Sequence, residues 1–248
     1  MSKPEWLYGI HTVKAILERF PERILELKVQ EGRQDERMQS LLSLSAVHGI
    51  HCEEASSQQL TEQMQGANHQ GIVARCRLSQ MQTENALFQI VERKEGAVLL
   101  LVLDAVTDPH NVGACLRTAE AAAVDAVIVP KDKASGLTPV VRRVAVGAAE
   151  TIPFIQVTNL ARTLDKLREM NVWVTGTAID ESAKALFETD LTGHQAIVVG
   201  AEGKGLRRLT KEKCDQLTYI PMQGSVDSLN VSVATGVCLF EALRQRLV

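Results

Sequence analysis

The chain has 248 residues, 45% of them hydrophobic and 23% charged, and 27 Lys and Arg against 30 Asp and Glu leave a formal net charge of −3. That is enough apolar material for one large or two ordinary domains, and it lacks the excess of positive charge by which a nonspecific nucleic-acid binder is usually recognised. The longest apolar run, Ala97 to Leu103, falls far short of the roughly 20 residues of a membrane-spanning helix, and "MSKPEWLYGIH" holds no apolar signal core, so the expected address is the cytoplasm, away from any membrane. Five cysteines are scattered without a Cys-x-x-Cys pair, three of them in apolar segments, which points to neither a disulfide framework nor a zinc site. Six histidines show no His-Glu-x-x-His or similar spacing, and no metal is expected.

In chain order, "GIHTVKAILERF" spaces Val13, Ile16, Leu17 and Phe20 as one helical face, and "ILELKVQEG" reads as a strand. A second helix, "DERMQSLLSLSAVHG", stops at Gly49, and "GIVARCRL" alternates like a strand. These elements predict a small α/β domain over residues 1–78. The polar text of "SQMQTENALFQIVERKEG", with a short apolar helical pattern inside it, predicts a linker over 79–96.

From residue 97 to 248 the grammar changes. The apolar runs "AVLLLVL", "DAVIVP", "FIQV", "VWVTGT", "AIVVG" and "LTYIPM" alternate with helical segments, which predicts a parallel sheet covered on both faces. In "TNLARTLDKLREMN", Thr158 is the expected N-cap, Leu160, Leu164 and Leu167 form one face, and Asn171 marks the end. Such sheets bind ligands beyond the C-terminal ends of their strands.

Three polar clusters fall at strand ends. In "DAVTDPHNVGACLRTA", turn chemistry accounts for Asp108 and Pro109, with Asn111 as a helix cap, but leaves Arg117 either a solvated helix arginine or a site residue. "VVGAEGKGLRRL" places Gly200, Gly203 and Gly205 around Glu202, a spacing that fits neither a P-loop nor G-x-G-x-x-G. In "IPMQGSVDSLNVSVATGVCLFEALRQRL", a strand ending at Met222 leads through Ser228 to Asn230, which opens a helix carrying Val233, Val237, Phe240 and Leu243 along one side. Asp104, Asp108 and Ser228 around His110 would make a catalytic triad, but no Gly-x-Ser-x-Gly elbow exposes a nucleophilic serine. Together the clusters predict Asn111, Arg117, Glu202, Ser228 and Asn230 on one edge of one sheet.

At these clusters the sequence resembles the SpoU (TrmH-like) branch of the SPOUT RNA 2′-O-methyltransferases. The family's Asn followed six residues later by Arg is matched by Asn111 and Arg117, its Gly-Glu loop by "GAEGKGL", and its last motif by "SLNVSVA", Ser228 to Ala234. "YGIHTVKAILE" and "NHQGIVARC" resemble the N-terminal substrate-binding domain found in part of the family, so the likeness spans essentially the whole chain. Within the family it is nearest to bacterial enzymes that methylate a guanosine ribose of large-subunit (23S) ribosomal RNA.

The resemblance implies a C-terminal trefoil knot, S-adenosylmethionine as cofactor, and a homodimer built on the knotted helices, with Gly236 permitting close helix approach. It implies that Gly200, Ile220 and Leu229 contact the cofactor, with Thr177, Met222 and Ser228 nearby, and that Asn111, Arg117, Glu202 and Asn230 carry the chemistry. Asp227 departs from the small or neutral residue usual in its place and takes no role from the family. A guanidinium does not give up its proton in proteins, so Arg117 suits stabilisation of a developing alkoxide, or a grip on the neighbouring phosphate, better than general-base work. Local basic pairs, Lys131 with Lys133, Arg142-Arg143 and Arg207-Arg208, are available for phosphate contacts or are plain surface charge. The competing functions are a transfer-RNA ribose methyltransferase and a noncatalytic RNA-binding assembly factor; methyl transfer to one RNA, to the other or to neither separates the three.

Overall fold

A computed structural model describes residues 4–247, so the expected domain ends at 1 and 248 lie outside the described residues. The chain divides into two compact units, one of residues up to Gln80 together with Val146–Thr151, the other of Met81–Ala145 and Ile152 onward.

The first unit runs β1 (Glu5–Tyr8), α1 (Ile10–Arg19), β2 (Ile24–Gln30), α2 (Glu36–Val47), β3 (Cys52–Ala55), α3 (Ser57–Gln63) and β4 (Ile72–Cys76). Its sheet has the order β1-β4-β2-β3, antiparallel except for β2 with β3. Val13, Ile16 and Leu17 of α1 pack with Leu27, Met38, Leu41, Ile72 and Ala74 in one core. Asp35 caps α2 by accepting from the Met38 N–H, and Ser56 with Gln59 forms a capping box on α3.

The second unit begins inside the expected linker. Residues 84–93 of that segment form α4 (Glu84–Arg93), whose Leu87 and Val91 are buried in the unit's core. There follow β5 (Leu99–Asp104), α5 (Pro109–Ala121), β6 (Ala126–Pro130) and α6 (Pro139–Ala145); α7 (Ala148–Thr151) belongs to the first unit. Then come β7 (Phe154–Val157), α8 (Leu160–Glu169), β8 (Trp173–Thr177), β9 (Lys184–Ala185), β10 (Gln195–Gly200), α9 (Arg208–Glu212), β11 (Gln216–Tyr219) and α10 (Val231–Arg246). The seven strands lie in the order β7-β6-β5-β10-β8-β11-β9, and every pairing is parallel. All six residues of β5 and all five of β6 are buried, as strands covered on both faces require.

Two local expectations change. The cap of α8 is Asn159, whose side chain accepts from the Arg162 N–H at 3.1 Å, one residue after Thr158. The last strand stops at Tyr219, so Ile220 to Met222 belong to the loop beyond it. On α10, Val233 is 52% and Phe240 49% exposed, while Val231, Thr235, Cys238, Leu239 and Ala242 are buried. A Cβ on Gly236 would meet only Thr118 Cγ2, at 3.6 Å, an ordinary contact, so packing within the chain does not demand glycine there. Among the described residues no helix is long and apolar enough to cross a membrane, and no group of three or more His, Cys, Asp or Glu converges as metal ligands would.

Candidate active site

Successive strands from β5 through β7 build the sheet in one direction, and β8 restarts it on the other side of β5, with β10 later filling the place between them. Order reversal of this kind opens a crevice at the C-terminal strand ends. Here it holds a cavity of about 480 Å³ whose walls come from the ends of β8, β10 and β11 and the entry to α10. Thr177, Gly200, Ile220, Met222, Ser228 and Leu229 all line it, as does Asp227. The volume lies in the range of about 300–1,000 Å³ usual for small-molecule and cofactor sites.

Gly200 closes β10, and the chain then doubles back on it. Gly205 donates its N–H to the Ala201 carbonyl at 2.8 Å, and a Cβ on Gly200 would lie 2.2 Å from the Gly205 carbonyl carbon. No side chain fits at 200, because backbone occupies its place. The tight turn lifts Glu202 to the cavity wall.

Asp108, not Asn111, caps α5: its side chain accepts from the His110 N–H at 3.0 Å, with Pro109 as the first helical residue. Asn111 is thereby freed from the capping role and sits on the first turn. Asn230 does cap α10, its Oδ1 accepting from the Ser232 N–H at 3.0 Å and the Ser232 hydroxyl at 2.6 Å. That acceptor role turns the amide nitrogen outward, where Nδ2 donates to Asn111 Oδ1 at 3.0 Å and to Glu202 Oε2 at 3.3 Å. Three residues from three separate motifs meet on one amide. With its oxygen so engaged, Asn111 retains its two Nδ2 hydrogens for a ligand.

Arg117 stands apart from this cluster. It is exposed on α5 and, among the described residues, makes no hydrogen bond or ion pair. Six residues of helix place it about 120° around the axis from Asn111. The Arg207-Arg208 pair, in contrast, is engaged. Arg207 donates from Nε to Asp104 Oδ1 at 2.6 Å and from its backbone N–H to Asp104 Oδ2 at 2.8 Å, while Arg208 pairs with Glu212 at 2.6 Å. Lys131, Lys133 and Arg143 are exposed, and Arg142 is half-buried.

Four of the five cysteines are poor nucleophiles. Burial pushes the thiols of Cys76, Cys214 and Cys238 up to about 12 and that of Cys115 to about 11. Cys115 instead packs α5 on α10, its Sγ lying 3.5 Å from Thr235 Oγ1.

Comparison with known proteins decides the family. The SpoU rRNA Methylase family profile matches residues 98–240, well over half the chain, and the profile for RNA 2′-O ribose methyltransferase substrate binding matches residues 6–82. The chain belongs to the SpoU rRNA methylase family. It is 54% identical to the 23S rRNA (guanosine-2′-O-)-methyltransferase RlmB of Pseudomonas putida over 248 residues, covering 100% of this chain and 99% of that one. It is 56% identical to RlmB of Pseudomonas aeruginosa, over 99% of this chain and 98% of the relative. In fold it is similar to the SpoU methyltransferase AviRb of Streptomyces viridochromogenes, solved in complex with the cofactor AdoMet, with a TM-score of 0.74 at 22% identity over 98% of this chain and 91% of that one.

Asp104, which the sequence offered only as a member of a triad that lacks its serine elbow, takes part instead through Arg207. Its signal was present, a carboxylate closing a strand otherwise composed of Leu and Val. Its partner is 103 positions away and nothing local points to it.

Proposed function

We propose that this protein transfers a methyl group from S-adenosylmethionine to the 2′-hydroxyl of a guanosine in large-subunit (23S) ribosomal RNA, acting in the cytoplasm as a homodimer. The observation that carries the reading is the union of Asn111, Glu202 and Asn230 on one hydrogen-bonded amide beside a cavity lined by Gly200, Ile220, Leu229, Thr177, Met222 and Ser228. The substrate is inferred from relatives more than 50% identical over nearly the whole chain.

The cavity suits a nucleoside cofactor. Glycine at 200 lets backbone rather than side chain form the wall, and Ile220, Leu229 and Met222 supply apolar surface for a flat base. When bound, S-adenosylmethionine supplies an electrophilic methyl carbon. Asn230, fixed by its cap, orients Asn111 and Glu202 around the ribose; positioning of this kind contributes up to about 7–11 kcal/mol in well-aligned systems. Arg117, unpaired among the described residues, stabilises the negative charge that grows on the 2′-oxygen as its proton leaves to phosphate or water. The exposed face of α10, Val233 and Phe240 with Val237 between them, supports the homodimer. Insertion of β10 between the earlier strands β5 and β8, and the return of α10 onto α5 and β10, support a trefoil knot. The first unit presents the RNA, in keeping with its substrate-binding profile.

The test is incubation with methyl-labelled S-adenosylmethionine and either ribosomal or transfer RNA, followed by mapping of ribose methylation. Label at a single guanosine of 23S RNA is expected. Label confined to transfer RNA would overturn the substrate, and label in neither would overturn the activity.

A further inference from the structure

Asp104 is fully buried, and its register partner across β5 and β10 is Gly200, so its carboxylate stands level with the point where the glycine loop leaves the sheet. Both oxygens are engaged by one residue, Arg207, at the loop's exit: Oδ1 by the guanidinium Nε and Oδ2 by the backbone N–H. A buried ion pair is weak evidence of stabilisation, since desolvation offsets most of the attraction and apolar side chains often serve as well. What this pair does provide is geometry. The loop is fixed at its entry by the contact of Gly200 with Gly205 and at its exit by Asp104, and Glu202 lies between the two anchors.

The same chemistry recurs in the sheet without a loop to hold. Asp215 accepts from Arg168 Nε at 2.7 Å and from the Val174 N–H at 2.9 Å. Asp125 accepts from Lys94 Nζ at 2.6 Å and from the Leu99 N–H at 2.9 Å. Both tie the start of one strand to the start of its neighbour. Of these three carboxylates, that of Asp104 alone reaches across to a loop.

We propose that Asp104 is a positioning residue for methyl transfer: through Arg207 it holds residues 201–205 in the turn that presents Glu202 to Asn230 and closes the cavity wall. The assignment rests on the cavity being the cofactor site, and acts on that site from behind. Asp104→Asn removes the charge while keeping shape and leaves Arg207 Nε facing an amide that cannot hold it as tightly.

The test compares Asp104→Asn with Asp215→Asn as the matched control, each assayed by thermal melting, hydrogen exchange, S-adenosylmethionine titration and methyl-transfer kinetics. Both variants should melt earlier. Asp104→Asn alone should speed exchange across 201–207, weaken S-adenosylmethionine binding at least tenfold and lower kcat. Asp215→Asn should speed exchange near 173–175 and leave affinity and kcat within twofold. In a Glu202→Gln background, Asp104→Asn should cost little further kcat, because it acts through that loop. If Asp104→Asn does not fold, Arg207→Lys, which keeps the charge and the backbone bond, should show the same pattern at smaller size. Unchanged exchange at 201–207 with wild-type affinity would overturn the proposal whatever the activity on RNA, and absence of methyl transfer by the wild type would overturn the functional reading alone.

Discussion

The two ends of the seven-stranded sheet use the same side chains to opposite effect. At the N-terminal end, Asp125 joins a strand start to Lys94 just past α4, and Asp215 joins one to Arg168 on α8. There too Arg246 gathers the carbonyls of Ala97, Val98, Leu191 and Gly193, its burial drawing the guanidinium below its ordinary value. At the C-terminal end, polar groups keep capacity in reserve. Arg117 is unpaired among the described residues, Asn111 has an amide nitrogen to offer, and Glu202 shares a single donor with Asn111. A polar group satisfied by its own chain can only hold structure; one left open can hold a ligand.

Arg117→Ala should widen the contrast most. Loss of one preorganised donor to a developing oxyanion costs about 10²–10³ in kcat, and because Arg117 is exposed and its side chain makes no hydrogen bond or ion pair among the described residues, melting temperature and S-adenosylmethionine affinity should stay at wild-type values. Retention of full turnover would remove Arg117 from the chemistry. Asn230→Ser divides that residue's two duties: serine keeps the cap on α10, so melting should shift little, while the lost bridge to Asn111 and Glu202 should cost about 1–3 kcal/mol of transition-state stabilisation, roughly 5- to 150-fold in kcat/KM. A variant that lost stability and kept activity would reverse that division.

At the far end of α10 the smallest effect is expected, and on stability alone. Bonds from Arg244 and Gln245 draw the Glu241 carboxyl from 4.5 to about 2. A depressed carboxylate stabilises the fold above its unfolded value and loses that contribution as pH falls through the folded one. Wild type should therefore lose stability against Glu241→Gln between about pH 4.5 and 2 in denaturant titrations, with methyl transfer at neutral pH alike in the two. Parallel curves would mean the pair contributes nothing to folding.

How far the sequence was legible follows the same division. Runs of Leu, Val and Ile announced every long strand of the second unit, because burial on both faces leaves no other composition available. Gly200, Glu202 and Asn230 stood out as polar or flexible residues at strand ends. What escaped was nonlocal. Asp108 and Asn111 are both good caps, and only the start of α5 at Pro109 chose between them. On α10 spacing picked out Val233 and Phe240 as one side but did not show that Thr235 and Cys238 are buried, Thr235 against Cys115 of α5. At 79–96 the short apolar helical pattern was legible, but its polar setting placed α4 in a linker, because only Leu87 and Val91 of that helix are buried.

The most direct test of the division is titration of S-adenosylmethionine into Gly200→Ala and Asp125→Asn at a temperature where both are folded. Gly200→Ala should lose affinity at least tenfold, since a methyl group at 200 must displace the Gly205 backbone, whereas Asp125→Asn should bind as wild type does despite a lower melting temperature. Equal affinities in the two variants would contradict the assignment of the cofactor site to the C-terminal end of the sheet.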